Sequence, residues 1–150
     1  MALVTALTAV LMMLAIGGSA ALNMMTETTI AANHRDALQL LYCAEAGIDL
    51  GISRLRTIAD WRAAAPDAHG TALVQGRLTD LLHLTGVDPR LNVDAWAFPD
   101  PNGDPDVLIL QAVASGGGGL GRAVQVTIRR APATPSATMR TIHTISWRER

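Results

Sequence analysis

Lysine is absent from the 150 residues, proline is absent before Pro66, and charged side chains are absent before Glu27. Each absence excludes something. All twelve basic residues are arginine and the formal net charge is −1, so the broad basic surface of a nucleic-acid-binding protein is not implied. Five aromatic residues (three Trp, one Tyr, one Phe) leave little material for stacking bases or sugars. The single cysteine, Cys43, rules out an intrachain disulfide. It sits in a helical pattern, Leu41-Tyr42-Cys43-Ala44, and reads as a small buried hydrophobe rather than a reactive thiol.

What is present begins with the apolar run. A helix through residues 1–25 is about 38 Å long at ~1.5 Å per residue, more than a hydrocarbon core of about 30 Å, so it spans a bilayer with some tilt. A cleaved secretory signal is the chief rival, with Ser19-Ala20-Ala21 as its small-residue cleavage site. Such a signal needs a basic n-region, and an ordinary anchor carries flanking Arg or Lys; neither is present. The missing basic flank implies that Met1 is not the original start of translation. Either a short leader has been removed or the start codon lies upstream. Gly17 and Gly18 interrupt the run. Two readings stay open: close helix–helix approach, and a segment that loosens when the helix leaves lipid.

The apolar run passes without a break into a one-sided helical pattern. Leu41, Ala44, Ile48, Ile52, Leu55 and Ile58 follow steps of three and four, with Glu45, Asp49, Ser53, Arg56 and Asp60 opposite. One helix is therefore expected from near residue 2 to about residue 60. Leu41, Ala44, Ile48, Ile52 and Leu55 are its candidate contacts with a soluble head. Residues 1–26 form the apolar half, residues 27–60 the amphipathic half, and residues 61–150 the head.

In the head, residues 71–84 read as a short helix through Leu73, Leu78, Leu81, Leu82 and Leu84. Residues 91–98 read as a strand, and the turn-rich Phe98–Pro105 stretch ends it. Val107–Ala114 and Ala123–Arg130 are further strands, joined by a glycine-rich turn at 115–121. Residues 131–138 read as a loop, and residues 139–148 add a last strand through Ile142, Ile145 and Trp147. The fold class expected is α+β: a long N-terminal helix packed on a small antiparallel meander.

Chemistry is sparse. Asp100, Asn102, Asp104 and Asp106 alternate as ligands do in calcium loops, but the bidentate Glu is missing and Pro105 stiffens the loop; a turn is the stronger reading. Gly116–Gly121 lacks the Gly-Lys-Ser/Thr ending of a phosphate loop. His34, His69, His83 and His143 show no ligand spacing. No nucleophile–base motif is readable, so nothing argues for an enzyme, and no cofactor is implied.

Residues 27–48, ETTIAANHRDALQLLYCAEAGI, resemble the N-terminal signature of PilX-type minor pilins of type IV pili. The matching elements are Glu27, Ala31, the Asn33-x-Arg35-Asp36 group and Ala44-Glu45-Ala46-Gly47. Met1-Ala2-Leu3-Val4 looks like a mature pilin start after prepilin-peptidase cleavage. The resemblance implies a basic leader ending in Gly, which accounts for the missing flank. Ser146-Trp147-Arg148-Glu149 is similar to the ends of such proteins. One departure is Thr5. Pilins usually carry Glu at the fifth mature position, where its carboxylate neutralises a neighbour's N-terminal amine; a hydroxyl supplies no charge. The resemblance then points to a low-abundance subunit near a fibre tip, as in the tip pseudopilin of type II secretion.

The expectation is a minor pilin or pseudopilin, held in the inner membrane with a periplasmic head and then packed into a fibre with other pilin subunits by the assembly machinery. Met1, Leu3, Val4, Thr5, Leu7, Val10, Leu11, Leu14 and Ile16 supply the assembly contact. Two alternatives are a single-pass anchored domain that binds a ligand or partner without polymerising, and a secreted domain freed at Ala21.

Overall fold

A computed structural model describes residues 1–58, 60–66, 69–83, 85, 88–117, 119–131 and 142–149. The loop expected at 131–138 lies outside the described residues except for Ala131, as do Leu84 and Gly118. The chain divides into two units, Met1–Asp36 and Ala37–Arg150, and one helix, α1 (Ala2–Thr57), runs through both. The architecture is α+β: a long N-terminal helix followed by a five-stranded antiparallel sheet.

The sheet occupies the second unit. Its strands are β1 (Thr71–Arg77), β2 (Asn92–Pro99), β3 (Val107–Ser115), β4 (Gly121–Arg130) and β5 (Ile142–Glu149). They lie side by side in chain order, each antiparallel to the next. Two short helices, α2 (Trp61–Ala64) and α3 (Leu78–Leu82), precede and follow β1. Alternation fixes which face is covered. Val93, Ala95 and Ala97 of β2, Leu108, Leu110, Ala112 and Ala114 of β3, and Val124, Val126 and Ile128 of β4 are buried. The register joins them in rows such as Ala97–Leu110–Val126 and Ala95–Ala112–Val124. Leu40, Cys43, Ala44, Ile48 and Leu55 of α1 belong to the same apolar cluster. Burying these faces together is what holds the unit.

Residues 71–77 form a strand, not the helix expected for 71–84; only Leu78–Leu82 is helical. Two features defeat the helical reading. Gly76 has φ +138°, outside any α-helix. A bulge between Ala72 and Val74 puts the consecutive residues Leu73 and Val74 both in the core, which hides the period-two pattern. The bulged Leu73 also gives its carbonyl to the Arg54 guanidinium of α1, which donates to it.

Candidate functional site

The Met1–Asp36 unit is helical from Ala2 onward, and every one of its residues is exposed. Leu3, Val4, Leu7, Val10, Leu11, Leu14 and Ile16, with Met12, Met13, Leu22, Met24 and Met25, present large apolar side chains to the surroundings. By length and composition this helix can cross a membrane. An apolar surface of this extent has no counterpart within the unit to bury it.

The polar side chains along this surface are internally satisfied. Thr5 donates to the Ala2 carbonyl at 2.8 Å, Thr8 to Thr5 at 2.9 Å, and Ser19 to Ile16 at 2.9 Å. Thr26 donates to Leu22 at 2.9 Å, Thr28 to Met25 at 2.9 Å, and Thr29 to Met25 at 2.8 Å. These six are all the Ser and Thr residues of the unit. Each hydroxyl proton is therefore already bonded, so an apolar medium would not impose the cost of several kcal/mol that an unmade bond carries. The Thr5 hydroxyl is spent in the same way. Gly17 and Gly18 leave open space, with nothing within 4 Å of a Cβ built on either.

In the second unit the helix meets the sheet along Leu40, Cys43, Ala44, Gly47, Ile48, Gly51 and Leu55, all buried. Ala44, Ile48 and Leu55 were among the expected contacts; Leu41 and Ile52 are half-buried at the flank of the cluster. Sequence reasoning missed Gly47 and Gly51, because a glycine carries no hydropathy signal. Their three- and four-residue spacing from Ala44, Ile48 and Leu55 was the available clue. A Cβ on Gly47 would overlap Val93 Cγ2 and lie 3.1 Å from Ala112 Cβ, so the helix backbone sits directly on β2 and β3 there. At Gly51 a Cβ would lie 3.7 Å from Leu73 and 3.8 Å from Leu110, ordinary contact. Cys43 lies beside this row with Sγ 3.9 Å from the Asn92 carbonyl, and burial pushes its thiol up to about 11. A thiol held protonated in this way is a packing group, not a nucleophile.

The loop from Asp100 to Asp106 closes on itself. Gly103 N–H donates to the Asp100 carbonyl at 2.9 Å, and Asp106 N–H donates to Asp104 Oδ1 at 3.0 Å. Asp104 Oδ2 accepts from Arg129 at 3.2 Å, and Asn102 donates to Asp100 at 3.4 Å. The carboxylates of Asp100 and Asp104 thus serve the turn and β4 rather than converge on a point. Among the described residues no group of three or more His, Cys, Asp or Glu side chains is placed to hold a metal. His34, His69, His83 and His143 are exposed and sit on four different parts of the chain.

Beside the loop is a cavity of about 310 Å³ lined by Trp61, Pro66, Pro99, Asp104 and Leu108. Trp61 is 2% exposed, with the Arg130 guanidinium 5.9 Å from its ring centroid. The glycine-rich turn joins β3 to β4, where Gly116 N–H donates to the Leu120 carbonyl at 3.2 Å.

No protein-family model, curated protein or solved structure matches the chain.

Proposed function

We propose that this chain is a minor pilin or pseudopilin. It is held in the bacterial inner membrane by residues 1–26, with the Ala37–Arg150 unit on the periplasmic side. It then packs its N-terminal helix among those of other pilin subunits in a type IV pilus or related fibre. The observation that carries this reading is the Met1–Asp36 helix: wholly exposed, largely apolar, and with all six hydroxyls bonded to its own backbone. Such a surface suits both lipid and a bundle of apolar helices, because the two media are similarly apolar. The likeness of residues 27–48 to the PilX-type signature narrows the reading to a pilin. Thr5, whose hydroxyl is turned to the Ala2 carbonyl at 2.8 Å, favours a low-abundance place near the tip, because it offers no carboxylate to a neighbour's amine. The same observation favours a second reading, an anchored partner-binding domain that does not polymerise.

Mass spectrometry of the N-terminus of the protein from its own cell separates these. An N-methylated Met1 is expected. A chain starting near Leu22 would mean secretion, and an intact longer leader would mean a simple anchor; either result rejects the proposal.

A further inference from the structure

The sheet has a second face, opposite the one that meets α1. Strand alternation places Trp96 and Phe98 of β2, Ile109 and Gln111 of β3, and Gln125 and Thr127 of β4 there, all half-buried. The register sets them in two adjoining rows, Trp96–Gln111–Gln125 and Phe98–Ile109–Thr127. A cavity of about 490 Å³ opens over these rows, with Phe98, Asp100, Ile109, Gln111 and Gln125 in its lining. That size falls within the ~300–1,000 Å³ of small-molecule sites. Gly70 steadies the aromatic wall. At φ +79° it packs so closely on Phe98 that a Cβ there would overlap the edge of the ring.

The chemistry of the lining selects among ligands. Gln111 and Gln125 are cross-strand partners, yet among the described residues neither side-chain amide has a hydrogen-bond partner. The hydroxyls of the Met1–Asp36 helix are bonded to their own backbone; these amides keep their donors and acceptors for what fills the cavity. Asp100 is the one ionisable residue of the lining, so a phosphate or carboxylate would meet repulsion and no cation. An aliphatic chain would take water from two amides and a carboxylate and replace none of the bonds. An extended peptide joins a sheet at an open edge, and β2, β3 and β4 are each paired on both sides. A sugar meets every requirement. Its hydroxyls donate and accept, as the amides do, and can donate to Asp100. Its C–H face matches the apolar Phe98 and Ile109. With two of the chain's five aromatic residues on this face, the site suits a small sugar rather than a long run of stacked rings.

We infer that this cavity binds a small neutral saccharide. Gln111 and Gln125 form its hydrogen-bonding pair, Asp100 accepts from a hydroxyl, and Phe98 and Ile109 lie under the C–H face of the ring. The site lies wholly within the Ala37–Arg150 unit. It therefore stands under both readings of the N-terminal helix, and it gives the head a ligand.

Saturation-transfer NMR on the full-length chain tests this, in a detergent without a sugar headgroup, with lactose and triacetylchitotriose as millimolar probes. The ring protons of at least one probe should take up saturation. Gln111→Leu and Gln125→Leu should each weaken binding about tenfold with the melting temperature kept, and the double variant should abolish it. Gln75→Leu, at an exposed position of the same face outside the cavity, should leave binding unchanged. Absence of transfer to either sugar overturns the inference. So does transfer that survives the double variant, or that Gln75→Leu removes as well.

Discussion

Two glycines four residues apart on one helix face should respond oppositely to the same substitution. Gly47→Ala drives a methyl into Val93 Cγ2 and Ala112 Cβ. Neither yields easily, since a strand valine is stiff at χ1 and an alanine Cβ moves only with its backbone. A loss of about 1–3 kcal/mol is expected. Gly51→Ala finds ordinary contact distances and adds helix propensity, so a gain of about 0.5–1 kcal/mol is expected. Urea melts of the two variants check the sign of each. Cys43 supplies a pH signature. Burial raises its thiol from 9.0 to about 11, so the unfolded chain loses that proton first. Stability should therefore fall as pH rises from about 9 to about 11, by ~2 kcal/mol at the upper end. The difference between wild type and Cys43→Ala isolates this slope. In the Asp100–Asp106 loop, Asp104 is engaged by Arg129 and by Asp106 N–H. Melting curves in calcium and in chelator should coincide; a clear shift would show that the carboxylates bind the ion after all.

At the scale of elements, the long helix was legible in the sequence because nothing interrupts it: no proline before Pro66, and three- and four-residue spacing from Leu41 onward. Its buried face was legible only in part. Counting apolar side chains centred the stripe on Leu41, Ala44, Ile48 and Ile52. The helix turns slightly further, onto Leu40, Cys43, Ala44, Gly47, Ile48, Gly51 and Leu55, because close approach selects small residues that hydropathy ignores. The variants Ile48→Asp and Ile52→Asp measure that rotation. Ile48 is fully buried and its charged variant should unfold the unit, whereas the half-buried Ile52 can turn a carboxylate outward and should cost markedly less. Equal losses would put the stripe back where the sequence pattern had it. β2, β3 and β4 were legible from alternation and flanking turn residues. β1 was not, because its bulge places Leu73 and Val74 on the same face and its pairing with β2 is a long-range choice that no local pattern carries. The hydroxyl bonds of Thr5, Thr8, Ser19, Thr26, Thr28 and Thr29 were invisible as sequence yet follow directly once the segment is a helix.

For the whole molecule, the division into Met1–Asp36 and Ala37–Arg150 separates an exposed helix from a unit with a core. The second unit has a buried core of its own; the first has none. A fragment spanning residues 37–150 should stay in solution and melt cooperatively, while the full chain should need detergent or lipid. Sedimentation with and without detergent checks both. The central claim concerns where the apolar helix ends up. The most direct measurement is quantitative mass spectrometry of sheared, purified surface fibres beside the inner-membrane fraction of the same cells, with antibody to the Ala37–Arg150 unit locating it along each fibre. The account predicts the protein in both fractions, at low abundance in the fibres and at or near one end. Recovery only from the membrane or only as soluble secreted protein, with fibres free of it, would contradict assembly. Uniform, stoichiometric labelling along the fibre would contradict the tip position.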